Sequence, residues 1–275
     1  MREFNEEERK LLTKTLPRAA QELRGAMANV YAAVGSLAPP AARERDAALD
    51  RKAAIFTQSF FRMHRVVGNL TDAAELAETG RYIGLTNDDL VGVARGVCER
   101  AEPLFRQEGV TLTFESEVSG AIIAMDAERI ERLLLNLLSN ALKFTPKGGT
   151  VAVRVRATRS WVRLSVSDTG RGIEPERLEH IFESFLNDGM TDPPPHGVGL
   201  GLAICRRIAE GHGGSIVAES PKGGGAIFTV SLPNRNAVIT PLRQPKMEYA
   251  GGFNRTLLEL SDALGVEAFT HRFLD

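Results

Sequence analysis

Three short segments hold the residue types that can do chemistry together. The first is Asn136-Leu137-Leu138-Ser139-Asn140-Ala141-Leu142-Lys143-Phe144. Asn136 and Asn140 are one helical turn apart and Lys143 continues their stripe, so two amides and one ammonium share a face. Leu133, Leu134, Leu137, Leu138 and Ala141 cover the rest of that helix. Asparagine is a poor helix former, and two in register need a reason. A chemical reason is that amide oxygens are hard ligands for Mg²⁺, which keeps waters and phosphate oxygens as its other ligands, while Lys143 offsets phosphate charge. A structural reason is a pair of amides hydrogen-bonded within a helix packing.

The second segment is Asp168-Thr169-Gly170-Arg171-Gly172. A carboxylate at a buried strand end is costly without a donor partner, and an adenine amino group would be one. Gly170 and Gly172 let the backbone approach a flat base without a Cβ. The plainer alternative is an Asp-Thr-Gly turn. The third segment is Gly197-Val198-Gly199-Leu200-Gly201-Leu202. A glycine-rich helix N-terminus offers free N–H groups and a positive dipole end to anions; a hinge loop is the alternative. Leu202 breaks a dinucleotide-type GxGxxG spacing, and a GxxxxGK[ST] phosphate loop is ruled out. In this order the three segments look like one nucleotide pocket.

The elements that must position them follow from periodicity. Residues 1–80 read as an antiparallel pair of long helices. Leu12, Leu16, Ala19, Leu23, Ala26, Val30, Val34 and Leu37 make one stripe, closed by Pro39-Pro40. Phe56, Phe60, Met63, Val67, Leu70, Ala74 and Ala77 make the second, closed by Gly80. A lone hairpin leaves an apolar seam, so a homodimer pairing two hairpins in a four-helix bundle is expected. Pro17 should kink the first helix or mark its start.

From residue 86 the pattern is α+β, running to 234. Thr86 and Asp89 resemble a capping box before a helix with Leu90, Val93, Val97, Ala101 and Leu104. Strands are expected at 110–114, 150–157, 161–167, 215–219 and 226–232, and helices at 126–143, 175–185 and 200–212. Helices interleaved with a mostly hairpin-connected sheet predict an α+β, two-layer domain. Residues 235–275 read as a tail: Pro241, Pro245 and Gly251-Gly252 favour irregular backbone, then a short helix with Leu257, Leu258, Leu260 and Leu264. This stripe fits either a patch on the α+β domain or a partner.

Bulk composition excludes several classes. Lys plus Arg is 34 and Asp plus Glu is 35, so charge makes no case for nucleic acid or an anionic membrane. No apolar run nears the ~20 residues of a membrane span. The start lacks a signal-peptide core, which predicts a cytoplasmic protein. Cys98 and Cys205, with no CxxC pair, read as reduced, semi-buried thiols.

Taken together, the ordered set over residues 86–234 resembles the ATP-binding domain shared by sensor histidine kinases, gyrase-type ATPases, Hsp90 chaperones and mismatch-repair ATPases. Residues 129–149 look like the histidine-kinase asparagine motif, Ile181-Phe182-Glu183-Ser184-Phe185 like the phenylalanine motif, and Gly211-His212-Gly213-Gly214 like the C-terminal part. The resemblance implies ATP with Mg²⁺, a two-layer α/β sandwich with helices on one face of a mixed sheet, and a mobile lid over 186–196. It makes Asn140 the Mg²⁺ ligand with Asn136 beside it, and places Lys143 on phosphate and Phe144 on the base. Asp168 would hold the adenine amino group over Gly170 and Gly172, and the run Gly197, Val198, Gly199, Leu200, Gly201 would cradle phosphates. Ser184 departs from the arginine common there, which removes one phosphate-side or lid contact. The hydrolytic branch has a glutamate base one turn before the Mg²⁺ asparagine. Asn136 stands there instead and cannot take a proton, which favours phosphoryl transfer over hydrolysis.

The hairpin also resembles the family's dimerisation and phosphotransfer helices. Ala20-Gln21-Glu22-Leu23-Arg24-Gly25-Ala26-Met27 looks like the segment that usually reads Ser-His-Glu-Leu-Arg-Thr-Pro-Leu. Position 21 lies between Ala19 and Leu23 and points outward. An imidazole nitrogen attacks phosphorus through a free lone pair, whereas the Gln21 amide lone pair is delocalised. Glu22, the family's polarising base, is kept; Gly25 and Ala26 replace threonine and proline. His64 reads as a boundary histidine, His180, His196 and His212 as structural or lid residues, and His271 carries no signal. Three functions stay open: a histidine-kinase-like protein with a response-regulator-like receiver partner, an ATP-binding pseudokinase, and a serine/threonine kinase of the same fold. With no sensor segment before the hairpin in this sequence, a partner, the tail or nucleotide level is expected to carry the stimulus.

Overall fold

Proline sets both ends of the first helix. The computed structural model describes residues 15–77, 84–183, 199–237 and 253–271. Helix α1 (Leu16–Leu37) has Pro17 in its first turn, where no intrahelical N–H is lost, and stops before Pro39. Pro17 therefore marks a start. A single turn, α2 (Pro40–Arg43), leads to α3 (Ala47–Ala77), whose first N–H groups at Ala48 and Leu49 donate to Asp46 Oδ1.

The face of α1 turned to α3 is not the expected stripe. It runs through Ala20, Arg24, Met27, Tyr31, Val34 and Ala38, with Arg24 Nη2 donating to Thr71 Oγ1 at 2.9 Å. Leu23, Val30 and Leu37 are 50%, 53% and 80% exposed. Both stripes have spacings of three and four, so α1 is apolar on two faces and periodicity alone does not say which is inside. On α3, Phe60, Phe61 and Val67 are buried, whereas Ile55 and the expected core residue Met63 are exposed.

Two units divide the chain: Met1–Arg81 with Phe253–Asp275, and Tyr82–Gly252. The stretch that reads as a free tail thus packs with the hairpin. Helix α8 (Arg255–Leu260) and the 3₁₀ turn Val266–Phe269 lie on α3. Their Leu257, Leu258, Leu260, Leu264, Ala268 and Phe269 are buried. Neither this layer nor a role for His271 is legible in local sequence, because the partners are some 200 positions away along the chain.

The second unit is the expected two-layer α/β sandwich. Its strands are β1 (Thr86–Asp89), β2 (Thr111–Ser116), β3 (Ile122–Met125), β4 (Thr150–Ala157), β5 (Trp161–Asp168), β6 (Ser215–Glu219) and β7 (Ile227–Pro233). Its helices are α4 (Leu90–Gln107), α5 (Ala127–Phe144), α6 (Pro175–Leu178) and α7 (Gly201–Gly211). The main sheet has the order β2-β4-β5-β7-β6, with β2 and β4 parallel and the other pairs antiparallel. Alternate residues Val151, Val153, Val155, Val162, Leu164, Val166, Phe228, Val230 and Leu232 are buried. Helix α5 supplies the facing layer, with Ile130, Leu133, Leu134, Leu135, Leu137 and Leu138 fully buried.

Some local expectations are corrected. Thr86 lies on β1, which pairs antiparallel with β3; neither strand was expected, since Thr86-Asn87-Asp88-Asp89 is a poor strand former. Asp89 alone caps α4, accepting from Val91 and Gly92 N–H, so there is no capping box. The helix expected over 175–185 ends at Leu178 and runs into turns. Residues 184–198, with Ser184, Phe185, the expected lid, His196, Gly197 and Val198, lie outside the described residues, as do Leu12, Gly80, Pro241, Pro245 and Gly251-Gly252. Both cysteines are buried and neither is in a disulfide, and burial together with the Glu99 charge pushes the Cys98 thiol up to about 12. No described helix is long and apolar enough to cross a membrane.

Candidate functional site

Helix α5 is held at both ends. At its start Asp126 caps Arg129 N–H, and the Asp126 N–H donates to His212 Nε2 at 2.9 Å. His212 Nδ1 donates to Ile208 O at 2.7 Å, which makes the buried ring neutral and ties α5 to the end of α7. At its finish Thr145 Oγ1 donates to Ala141 O at 2.6 Å. The turn after β5 presses onto the same end. A Cβ at position 170 would sit 2.4 Å from Phe144 O, so only glycine fits.

Between these anchors the stripe read from sequence is displayed. Asn136 is 1% exposed, and a Cβ at Gly201 would lie 3.3 Å from its Oδ1, so this amide faces the first residue of α7. Asn140, one turn on, is half-buried and accessible. Lys143 Nζ lies 5.2 Å and the Arg171 guanidinium 5.0 Å from the centre of the exposed Phe144 ring. A cavity of about 400 Å³ opens here, lined by Lys143, Phe144, Thr145, Thr169, Gly170 and Arg171, with Pro146 at its rim. A larger groove of about 600 Å³ between α4 and β2, with Arg95, Glu99 and Phe114, contains none of the predicted residues.

Asp168 closes the strip. Its Oδ1 accepts from Gly170 N–H at 2.8 Å and Ala226 N–H at 3.2 Å; Oδ2 is not used in either bond. Burial pushes its pKa above the ordinary carboxylate value, although the two N–H groups pull the other way. Gly172 takes a positive φ of 79° beside Ser220, whose Oγ accepts from Ile173 N–H and donates to Gly225 O.

The structure therefore gathers Asn136, Asn140, Lys143, Phe144, Asp168, Gly170 and Gly201 along one edge of α5. Gly199 has φ 70°, and Leu200 is buried, so only its main chain is available to a ligand. Gly197 and Val198 lie outside the described residues. Glu22 and Gln21 belong to the hairpin unit, where both are exposed. His64 is buried against Phe60 and Phe253, in keeping with a packed histidine, and His180 is exposed beside Glu183. Three contributors were missed. Arg171 stands between two glycines already singled out, a signal within reach. Thr169 Oγ1 accepts from Thr150 N–H, and Ala226 joins from across the sheet; neither has a local signature.

The raised pKa of Asp168 fixes a pH dependence. Stability from this group is fully present below its unfolded pKa, about 3.9, and is lost as pH rises through the higher folded value. An amide keeps the Oδ1 acceptor and does not titrate. Urea denaturation of Asp168→Asn should show it gaining stability relative to wild type as pH rises from about 3.9, the unfolded value, through the higher folded one. A difference that stays constant with pH contradicts this account.

Comparison with known proteins agrees with this geometry. Residues 125–236 match the family described as histidine kinase-, DNA gyrase B-, and HSP90-like ATPase. The chain is 34% identical over 170 residues to the sensor protein KdpD of Clostridium acetobutylicum, covering 62% of this chain and 19% of that one. The structure of full-length ShkA in complex with AMPPNP superposes with a TM-score of 0.65 at 28% identity, over 84% of this chain and 48% of ShkA. The catalytic domain of histidine kinase ThkA superposes with a TM-score of 0.50 at 30% identity, over 55% of this chain and 98% of that domain. The chain thus spans about a fifth of one relative and half of another, but nearly all of a histidine kinase catalytic domain. With the pocket assembled on α5 and the sandwich around it, residues 125–236 of this chain form a domain of the histidine kinase-, DNA gyrase B- and HSP90-like ATPase family.

Proposed function

We propose that this chain is a histidine kinase-type protein of two-component signalling that binds Mg²⁺-ATP, forms a homodimer, works with a receiver-domain partner and resides in the cytoplasm. One observation carries the nucleotide reading: the α5 edge runs from Asn136 against Gly201 to Phe144 against Gly170 and Asp168. The donor set fits. Asp168 Oδ2 would accept from an adenine amino group while Oδ1 stays committed to backbone. Gly170 and Gly172 flank the base beside Phe144. Asn140 is the accessible amide for Mg²⁺, Asn136 backs it, and Lys143 with Arg171 offsets phosphate charge. The run from Gly197 through Val198, Gly199 and Leu200 to Gly201 offers main-chain N–H groups.

When bound, Mg²⁺-ATP supplies the γ-phosphoryl group; the side chains contribute position and charge neutralisation. Asn136 cannot accept a proton, so no base activates water there, and simple hydrolysis is disfavoured. Glu22 stays available as a polarising base on the hairpin. A second reading is favoured by Gln21, which is exposed where an acceptor must be but carries no nucleophilic lone pair. In that reading nucleotide occupancy alone changes partner binding.

The dimer part rests on α1 and α3, where Leu23, Val30, Leu37, Ile55 and Met63 are apolar and exposed. Apolar rows of this kind mark an interface. Sedimentation equilibrium should give a dimer for wild type and a folded monomer for Val30→Glu; a dimer in both, or a wild-type monomer, contradicts it.

Incubation with γ-labelled ATP, followed by acid-sensitivity mapping, tests the activity. Wild type should take no label at position 21, Gln21→His should gain acid-labile phosphate, and Asn140→Ala should weaken Mg²⁺-ATP binding roughly tenfold or more. Acid-labile label at residue 21 of wild type, or unchanged binding by Asn140→Ala, overturns the assignment.

A further inference from the structure

The ring that the proposed function sets beside the base already has two cations on it. Phe144 is 38% exposed at the end of α5, with the Lys143 ammonium 5.2 Å and the Arg171 guanidinium 5.0 Å from its ring centre. All three line one cavity of about 400 Å³, together with Thr169 and Gly170. The two cations reach the ring from different elements. Lys143 is its neighbour on α5, whereas Arg171 comes from the turn after β5.

The main chain of that turn is packed on each side of Arg171. Gly170 N–H donates to Asp168 Oδ1 at 2.8 Å, and Gly170 O accepts from Gly225 N–H at 2.8 Å. A Cβ at Gly170 would meet the Phe144 carbonyl, and one at Gly172 would lie 2.9 Å from Ser220 Oγ. Arg171 itself is exposed. The part of it with room to move is therefore its side chain, and the ring is the surface it would leave.

Magnitudes decide what moves it. An exposed cation on a phenyl face is held by a factor of roughly two to five in an equilibrium. Two like charges at one ring also repel each other. A charge-assisted bond from a guanidinium to a phosphate is stronger than either contact. An anion in the cavity thus draws the guanidinium off the ring, and an uncharged aromatic molecule does not. A ring covered for part of the time lowers the apparent affinity of any ligand that needs it bare. Discrimination is the difference between those two cases.

We propose that Arg171 is the specificity-determining residue of this mouth. Resting on Phe144, it disfavours uncharged aromatic ligands, and it yields the ring to a base that carries phosphates. The assignment rests on the nucleotide reading above and adds to it a selection against nucleosides and free bases.

Calorimetric titration of the full chain with Mg²⁺-ATP and with adenosine tests the selection. Arg171→Ala should bind Mg²⁺-ATP roughly threefold to tenfold more weakly than wild type. The same variant should bind adenosine about two- to fivefold more tightly, because the ring is bare. Arg171→Lys should keep part of the discrimination. An equal change for both ligands, or weaker adenosine binding, overturns the proposal. A second readout needs no ligand: the Arg171 Nε–H resonance of wild type should be displaced by the Phe144 ring current and return to its random-coil position in Phe144→Leu. A random-coil position in wild type overturns the proposal and leaves the nucleotide reading standing. Wild type that shows the displaced resonance but binds neither ligand overturns the nucleotide reading, and this assignment with it.

Discussion

The site depends on one helix being clamped at both ends. Asp126 and His212 lock the start of α5 to the end of α7, and the Gly170 turn presses on the carbonyl of Phe144 at its finish. A buried Leu-rich body then leaves a polar edge of Asn136, Asn140 and Lys143, with Gly201 against Asn136 and Gly170 against the Phe144 carbonyl. A loosened clamp would let the edge rotate by a fraction of a turn and separate the asparagines from the Asp168 loop. His212 achieves this with two hydrogen bonds to main-chain groups of α5 and α7.

Much of this edge was legible because its signals are local. Asn136 and Asn140 at helical spacing, a carboxylate ending a strand and glycines at a helix start each speak within a few residues. The strands β4 and β5 and helix α5 were equally plain, with alternation or a continuous apolar face. Contacts made across the sheet were not. Ala226 reaches Asp168 from 58 positions away, and β1, Thr86-Asn87-Asp88-Asp89, is a strand through its pairing with β3 rather than its own composition. Burial also separates the two asparagines in a way spacing does not: Asn136 is enclosed against α7 and Asn140 is reachable.

The hairpin shows the limit of periodicity. Helix α1 carries two stripes one position apart, and the wholly apolar one faces outward. What faces inward is mixed and bulkier, Ala20, Arg24, Met27 and Tyr31, and the Tyr31 ring packs with Phe60, Phe61 and Phe253. The inner face thus depends on a segment from the far end of the chain. The same arrangement gives His271 a partner in Asp50, though its sequence surroundings say nothing.

The proposed reading puts a nucleotide pocket on α5 and an amide, Gln21, at the proposed acceptor position. Nuclear magnetic resonance of the isotopically labelled chain during titration with ATP, first without and then with Mg²⁺, measures this directly. ATP should move the amide signals of Gly170 and Arg171, and Mg²⁺ should then move the Asn140 side-chain amide while Gln21 stays still. Shifts confined to the Arg95–Phe114 groove, or an Asn140 signal indifferent to Mg²⁺, would contradict the account.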